Sequence, residues 1–140
     1  MELVRPQISV EGFQELLNQQ HPFAKLLGID VLDIGHGTAT LLLPADPSHT
    51  RLGGIVAGPM LMALADLSLY AAVVGATGNE QAVTASLSIN FMRGAPPGGV
   101  LARAHIFKTG RLTAGEVRLL PEGGGDVLAQ AISTWAVPKP

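Results

Sequence analysis

Apolar and polar positions along this chain sort into one long apolar segment flanked by short periodic ones. The long segment, Ile55 to Gly75 (IVAGPMLMALADLSLYAAVVG), carries a single charge, Asp66, and opens on Gly58-Pro59. Drawn as a helix it is apolar on every face, a pattern that belongs to a core or to a membrane. Its length is near the roughly 20 residues of a bilayer span. Three features argue for a buried central helix instead. A carboxylate lies at its centre, where membrane insertion would cost about 2.5–3.5 kcal/mol. No Lys/Arg cluster brackets it, and strand-like segments follow it directly.

The flanking patterns predict the remaining elements. Met1 to Ser9 are expected to lack regular structure. Val10, Phe13, Leu16 and Leu17 recur at helical spacing behind Ser9, and the helix they predict ends before His21-Pro22, because proline pushes the preceding residue away from helical angles. Phe23, Leu26 and Leu27 predict a second short helical turn closed by Gly28. Ile29–Ile34 and Thr38–Leu43 read as strands around a Gly35-His36-Gly37 turn, and a polar loop, Pro44 to Gly54, leads to the central run. After a break at Ala76–Glu80, Thr84–Phe91 alternates strictly. Ala85, Leu87, Ile89 and Phe91 fall on an apolar face, and Thr84, Ser86, Ser88 and Asn90 on a polar one. Turns at Gly94–Gly99, Lys108–Arg111 and Pro121–Asp126 separate three more strands, Val100–Phe107, Thr113–Leu120 and Val127–Val137.

Segregated helices followed by a meander of strands predict an α+β fold, with an antiparallel sheet of five or six strands wrapped around one long central helix. A single domain over residues 1–140 is expected, with residues 1–20 as an N-terminal helical extension. With 47% hydrophobic and 14% charged residues and a mean hydropathy of +0.34, the chain carries more apolar surface than a small monomer easily hides, so an oligomer is expected. The net charge of -2 gives no electrostatic footprint for nucleic acid. The absence of cysteine excludes disulfides, thiolate zinc sites and a cysteine nucleophile. The N-terminal stretch MELVRPQISVEGF lacks the pattern of a signal peptide, so a cytoplasmic location is expected, with no membrane partner.

Asp66 is the sharpest candidate for chemistry. A carboxylate in an uncharged helix must be paired, face a cavity or interface, or be neutral with a raised pKa. It is either a structural hydrogen-bonding residue or a general base or nucleophile. Gly53, Gly54, Gly58 and Pro59 mark the start of the helix. That pattern alone reads as plain helix initiation, but beside Asp66 the Gly58 N–H becomes a candidate oxyanion donor. His21, His36, His49 and His105 lie at no metal-ligand spacing and read as turn or surface residues. HExxH, GxSxG and phosphate-binding glycine motifs are absent, so no metal or cofactor is expected. Arg51, Arg93, Arg103, Lys108 and Arg111 are scattered, with one or two able to hold phosphates near a site mouth.

At this point several stretches match a known pattern. HPFAKLLGIDV, LLLPADPSHTRLGGIVAGPMLMALADLS, VTASLSINFMRGAPPGG, the KTGR hairpin and LAQAISTWAV cover most of the chain. Together they resemble a hotdog-fold acyl-CoA thioesterase of the phenylacetate-degradation type. The resemblance implies a long helix wrapped by an antiparallel sheet, a homodimer paired edge to edge or a dimer of dimers, and active sites at the subunit interface. It implies that Asp66 attacks the thioester or activates water and that the Gly58 amide polarises the thioester carbonyl, with the base one to two turns along the helix. Thr84 would be contributed by the partner subunit to help place the water. Arg51, Ala57, Pro59, Met62, Arg93 and Arg111 would bind substrate.

Two departures from the family pattern stand out. Where relatives read His-Gly-Gly at the helix start, this chain reads Ala57-Gly58-Pro59, so the assisting histidine is missing and Pro59 has no N–H. Where relatives often have Asn, this chain has Arg51, suited to replace the lost donor, an acidic acyl group's partner, or a coenzyme A phosphate ligand. The expected function is therefore hydrolysis of an acyl-CoA to free acid and coenzyme A, with a non-catalytic acyl-CoA-binding protein as the alternative. A hydratase of this fold would pair a histidine with the aspartate on the long helix, and a repressor would carry a DNA-binding segment. The chain shows neither.

Overall fold

The computed structural model describes residues 4–139. The parts of the expected loose N-terminus and of the 1–140 span that fall on residues 1–3 and 140 lie outside the described residues. Helix α1 (Val10–Gln20) starts where Ser9 Oγ accepts from Gly12 N–H at 2.9 Å. Helix α2 (Pro22–Leu27) starts at His21, whose Nδ1 accepts from Ala24 N–H at 3.3 Å, and stops at Gly28 in the left-handed region. Strands β1 (Asp30–Gly35) and β2 (Thr38–Leu43) form a hairpin, followed by the central helix α3 (Gly58–Thr77). Strands β3 (Val83–Phe91), β4 (Val100–Lys108), β5 (Leu112–Pro121) and β6 (Ala129–Ala136) complete the chain.

The element order follows the sequence expectation closely. The central apolar run turns helical at Gly58, where the Gly58-Pro59 pair marked the start. Ala57 is extended at φ -69°, ψ 143°, and Val56 bridges back to Thr50, so Ile55–Ala57 belongs to the loop that delivers the helix.

The six strands form one antiparallel sheet in the order β1-β2-β4-β5-β6-β3. Helix α3 lies across its inner face and buries Leu61, Leu64, Leu67, Leu69, Val73 and Val74. This is the α+β hotdog arrangement. The helix is long and apolar enough by composition to span a membrane, but here its apolar residues fill the core of the sheet. Close approach is needed at its far end, where a Cβ on Gly75 would lie 2.5 Å from the Gly35 carbonyl oxygen. Only glycine lets α3 rest on the β1–β2 hairpin there.

The two edges of the sheet are treated differently. Along β1, the Gln14 side chain from α1 accepts from Val31 N–H at 2.8 Å and donates to Ile29 C=O at 3.1 Å, so a side-chain amide caps the strand edge. Among the described residues, strand β3 pairs only with β6, and its other edge is open. Its alternation is present, but the apolar face is not buried within the chain: Ala85 and Phe91 are exposed, and Leu87 and Ile89 are half-buried.

The strict alternation also fails at the start of β3. The register shifts between Thr84 and Ser86, with Thr84 opposite Trp135, Ser86 opposite Thr134 and Leu87 opposite Ser133. A bulge adds one residue to a strand and re-aims its neighbours. Thr84, expected on the polar face with Ser86, is thereby turned to the inner face with Trp135 and Leu87.

Candidate active site

One stripe of α3 is only partly covered within the chain: Pro59, Met62, Asp66 and Tyr70, spaced by three or four residues. Asp66 is half-buried on this stripe, and its Oδ1 accepts a hydrogen bond from Thr84 Oγ1 at 2.6 Å. Burial pushes the Asp66 carboxyl above its ordinary range, opposed by the Thr84 hydrogen bond and by the nearby His21. The pair opens on a cavity of about 280 Å³ lined also by His21, Tyr70, Val83 and Trp135. Tyr70 and Trp135 stack with ring centroids 5.8 Å apart, and Tyr70 O–H donates to Glu80 C=O at 2.7 Å. Trp135 is buried, and its Nε1–H has no acceptor among the described residues.

Thr84 thus serves the Asp66 of its own chain. The expectation that Thr84 reaches the carboxylate from the partner subunit is corrected, and the bulge at Ala85 is the physical reason.

The start of α3 forms a second cavity of about 300 Å³, lined by Arg51, Ile55, Gly58, Leu61, Phe91 and Arg93. The first-turn amides of Met60 and Leu61 both donate to Ala57 C=O, at 3.0 and 3.3 Å. Pro59 has no N–H. The Gly58 N–H is left, and no acceptor meets it among the described residues. Ala57 is the N-cap and offers no side-chain bond, while its own N–H donates to His49 C=O at 2.9 Å. His49 is itself buried, with Nδ1 3.0 Å from Pro44 C=O, and fixes the loop that leads to the helix. Arg51 is exposed on the rim and makes no ion pair among the described residues. Arg93 is held by Asp126 at 2.9 Å on the surface. Met62 and Pro59 are exposed on the same stripe of α3 and line neither cavity. Arg111 lines neither cavity and sits in the β4–β5 turn.

Gly58 and Asp66 are eight residues apart on α3, a rise of about 12 Å at 1.5 Å per residue. They face different cavities. A base and an oxyanion donor acting on one carbonyl must both lie within about 3–3.5 Å of the reacting atoms. The expectation that both serve one carbonyl from a single helix is therefore not met. Sequence reasoning also passed over His21, Tyr70 and Trp135. Tyr70 could have been found, because it lies one helical turn beyond Asp66 on the same stripe. His21 looked like a turn residue. Among the described residues no cluster of histidine and carboxylate side chains suited to a metal ion occurs.

Comparison with known proteins bears on this arrangement. The model of the thioesterase superfamily matches residues 53–119, from the glycines before α3 into β5. A candidate thioesterase from a Silicibacter species is 34% identical, with 99% of this chain and 96% of that chain covered and a TM-score of 0.85. A candidate esterase of Saccharolobus solfataricus is 29% identical over 133 residues, 94% of this chain and 87% of the relative. The Escherichia coli PaaI protein from the phenylacetic acid degradation operon shares the fold at a TM-score of 0.82 and 18% identity, over 93% of this chain and 94% of that one.

Proposed function

Because this chain belongs to the thioesterase superfamily, we propose that it hydrolyses the thioester of an acyl-coenzyme A, with Asp66 as base or nucleophile and a Gly58 amide as oxyanion donor. The observation that carries the reading is a half-buried, Thr84-bonded carboxylate facing an aromatic-walled cavity. In the general-base form, Asp66 takes a proton from water as the water oxygen bonds to the carbonyl carbon. The carbonyl oxygen gains charge against the Gly58 N–H. The C–S bond then breaks, and the departing thiolate takes the proton from Asp66.

The Asp66 and Gly58 that act together come from two subunits. Two β3 strands pairing antiparallel by their open edges about a two-fold axis would bring the Thr84 end of one against the Phe91 end of the other. Phe91 lies beside Gly58, its ring 3.7 Å from where a Cβ on that glycine would be. Asp66 and Thr84 then face Gly58 of the partner subunit. The same pairing covers Leu87, Ile89, Phe91 and Met62. Arg51, on the rim beside Gly58, is suited to a coenzyme A phosphate or an acidic acyl group.

A second reading, an acyl-CoA-binding protein without catalysis, is favoured by Ala57, which leaves the helix start without a side-chain donor. Thiol release from a panel of acyl-CoAs, measured for the wild type and for Asp66→Asn, separates the two. Hydrolysis predicts a loss of about 10²–10⁴-fold in the variant. Equal inertness of both proteins, with acyl-CoA still bound, supports the binder.

A further inference from the structure

The Asp66 cavity needs a hydrogen-bond donor for the attacking water, and the polar groups around it can be accounted for one by one. Thr84 has a single proton, given to Asp66 Oδ1 at 2.6 Å. The Tyr70 proton goes to the Glu80 carbonyl at 2.7 Å. The Trp135 N–H is buried away from the open space. The other lining side chains are Asp66 itself and the apolar Leu67, Ala82 and Val83. His21 remains.

Its ring is oriented by the cap of α2. Nδ1 accepts from Ala24 N–H at 3.3 Å, and a ring nitrogen that accepts cannot carry the proton, so the neutral imidazole holds its hydrogen on Nε2. With Nδ1 turned onto the helix, the Nε2 edge is left to face the cavity that the ring lines. Pro22 at the first position of the helix stiffens the junction. His21 is also close enough for a positive charge on it to favour the Asp66 carboxylate, although the two make no direct hydrogen bond. Both side chains line the same cavity, where a water can bridge groups that do not bond directly. Capping alone does not call for histidine, since Asn, Asp and Ser are the favoured N-caps.

We propose that His21 is a catalytic residue whose Nε2–H donates to the oxygen of the attacking water and holds it opposite Asp66. The role rests on the thioesterase reading. Water gives one proton to Asp66, its oxygen bonds to the carbonyl carbon, and the thiolate leaves with the proton from Asp66. His21 keeps its own proton throughout and supplies position alone, so its removal acts on kcat and leaves substrate binding intact.

Two substitutions divide the ring between them. His21→Asn keeps an acceptor near the Nδ1 position and so preserves the cap, but its amide is too short to reach the water. His21→Gln places an amide N–H near the Nε2 position and gives up the cap. Steady-state kinetics with the acyl-CoA that the wild type turns over best, together with thermal melting, reads both. The expected result for His21→Asn is an unchanged or higher melting temperature, a KM within about threefold and a kcat lower by about 100-fold. His21→Gln is expected to melt lower and to keep the higher kcat of the two. Wild-type kcat in His21→Asn would overturn the role and leave His21 a cap. A rise in KM at unchanged kcat would equally overturn it, as an effect on acyl binding. A wild type inert toward every acyl-CoA would remove the thioesterase reading and the role together, an outcome distinct from an active His21→Asn.

Discussion

Asp66 is held between two opposing influences. Burial raises its pKa, and the Thr84 hydroxyl, by donating to Oδ1, lowers it again. Only the ionised carboxylate is a base or nucleophile, so activity is lost as pH falls through the raised pKa. The acidic limb of the pH–kcat profile is therefore expected above the ordinary carboxylate range. Thr84→Val removes the donor and should move that limb further up, with Thr84→Ser restoring it. A limb at the ordinary carboxylate value in both wild type and Thr84→Val would argue against Asp66 as the titrating group. Asp66 was legible in the sequence because an unpaired charge within an apolar helix is costly. Thr84 was identified but aimed wrongly, because period-two alternation carries no mark of the bulge at Ala85. His21 was not legible as a site residue at all. Its side chain comes to the lining of the Asp66 cavity only through the tertiary fold, since His21 and Asp66 are far apart in the chain.

At the scale of elements, periodicity located the helices and strands along the chain, down to the glycine stop of α2, but the expected meander would set β3 beside β4, whereas β3 crosses to the far edge of the sheet and pairs with β6. Length and composition alone do not place the start of α3, since Ile55 and Val56 are as apolar as the helix they precede, and it was the Gly58-Pro59 pair that marked it. The local geometry of Ala57 and the bridge from Val56 to Thr50 set that boundary. The burial of α3 depends on close backbone contact at Gly75. Gly75→Ala would push a methyl into the Gly35 carbonyl and is expected to destabilise by about 1–3 kcal/mol, the usual range for overpacking. Chemical denaturation checks this, and a cost near zero would mean that α3 and the hairpin separate easily. The two sheet edges make a related contrast. Gln14 closes β1 with two hydrogen bonds, while β3 presents an open ladder and half-covered apolar side chains. An unprotected edge of this kind invites pairing with another chain.

For the whole molecule, the composition already pointed to an apolar interface, and the structure locates its candidate surface. Met62 on α3 and Phe91 on β3 are exposed, and Phe91 lines the Gly58 cavity. On the proposed β3–β3 pairing, each chain carries halves of two different sites, and a dimer would complete either one. The sequence resemblance implied an interface but not the division of labour proposed for it. Which residues meet depends on the length of α3 and on the bulge in β3, and neither is written in any motif. Subunit complementation tests this division most directly. Asp66→Asn removes the base and keeps the Gly58 amide. Gly58→Pro removes the amide and keeps the base, at a first-turn position where proline is tolerated. Each variant alone should be inactive. Unfolded together and refolded as mixed dimers, they should recover roughly a quarter of wild-type activity, since half of the dimers are mixed and each has one intact site of two. No recovery, with mixed dimers demonstrably formed, would contradict the composite site.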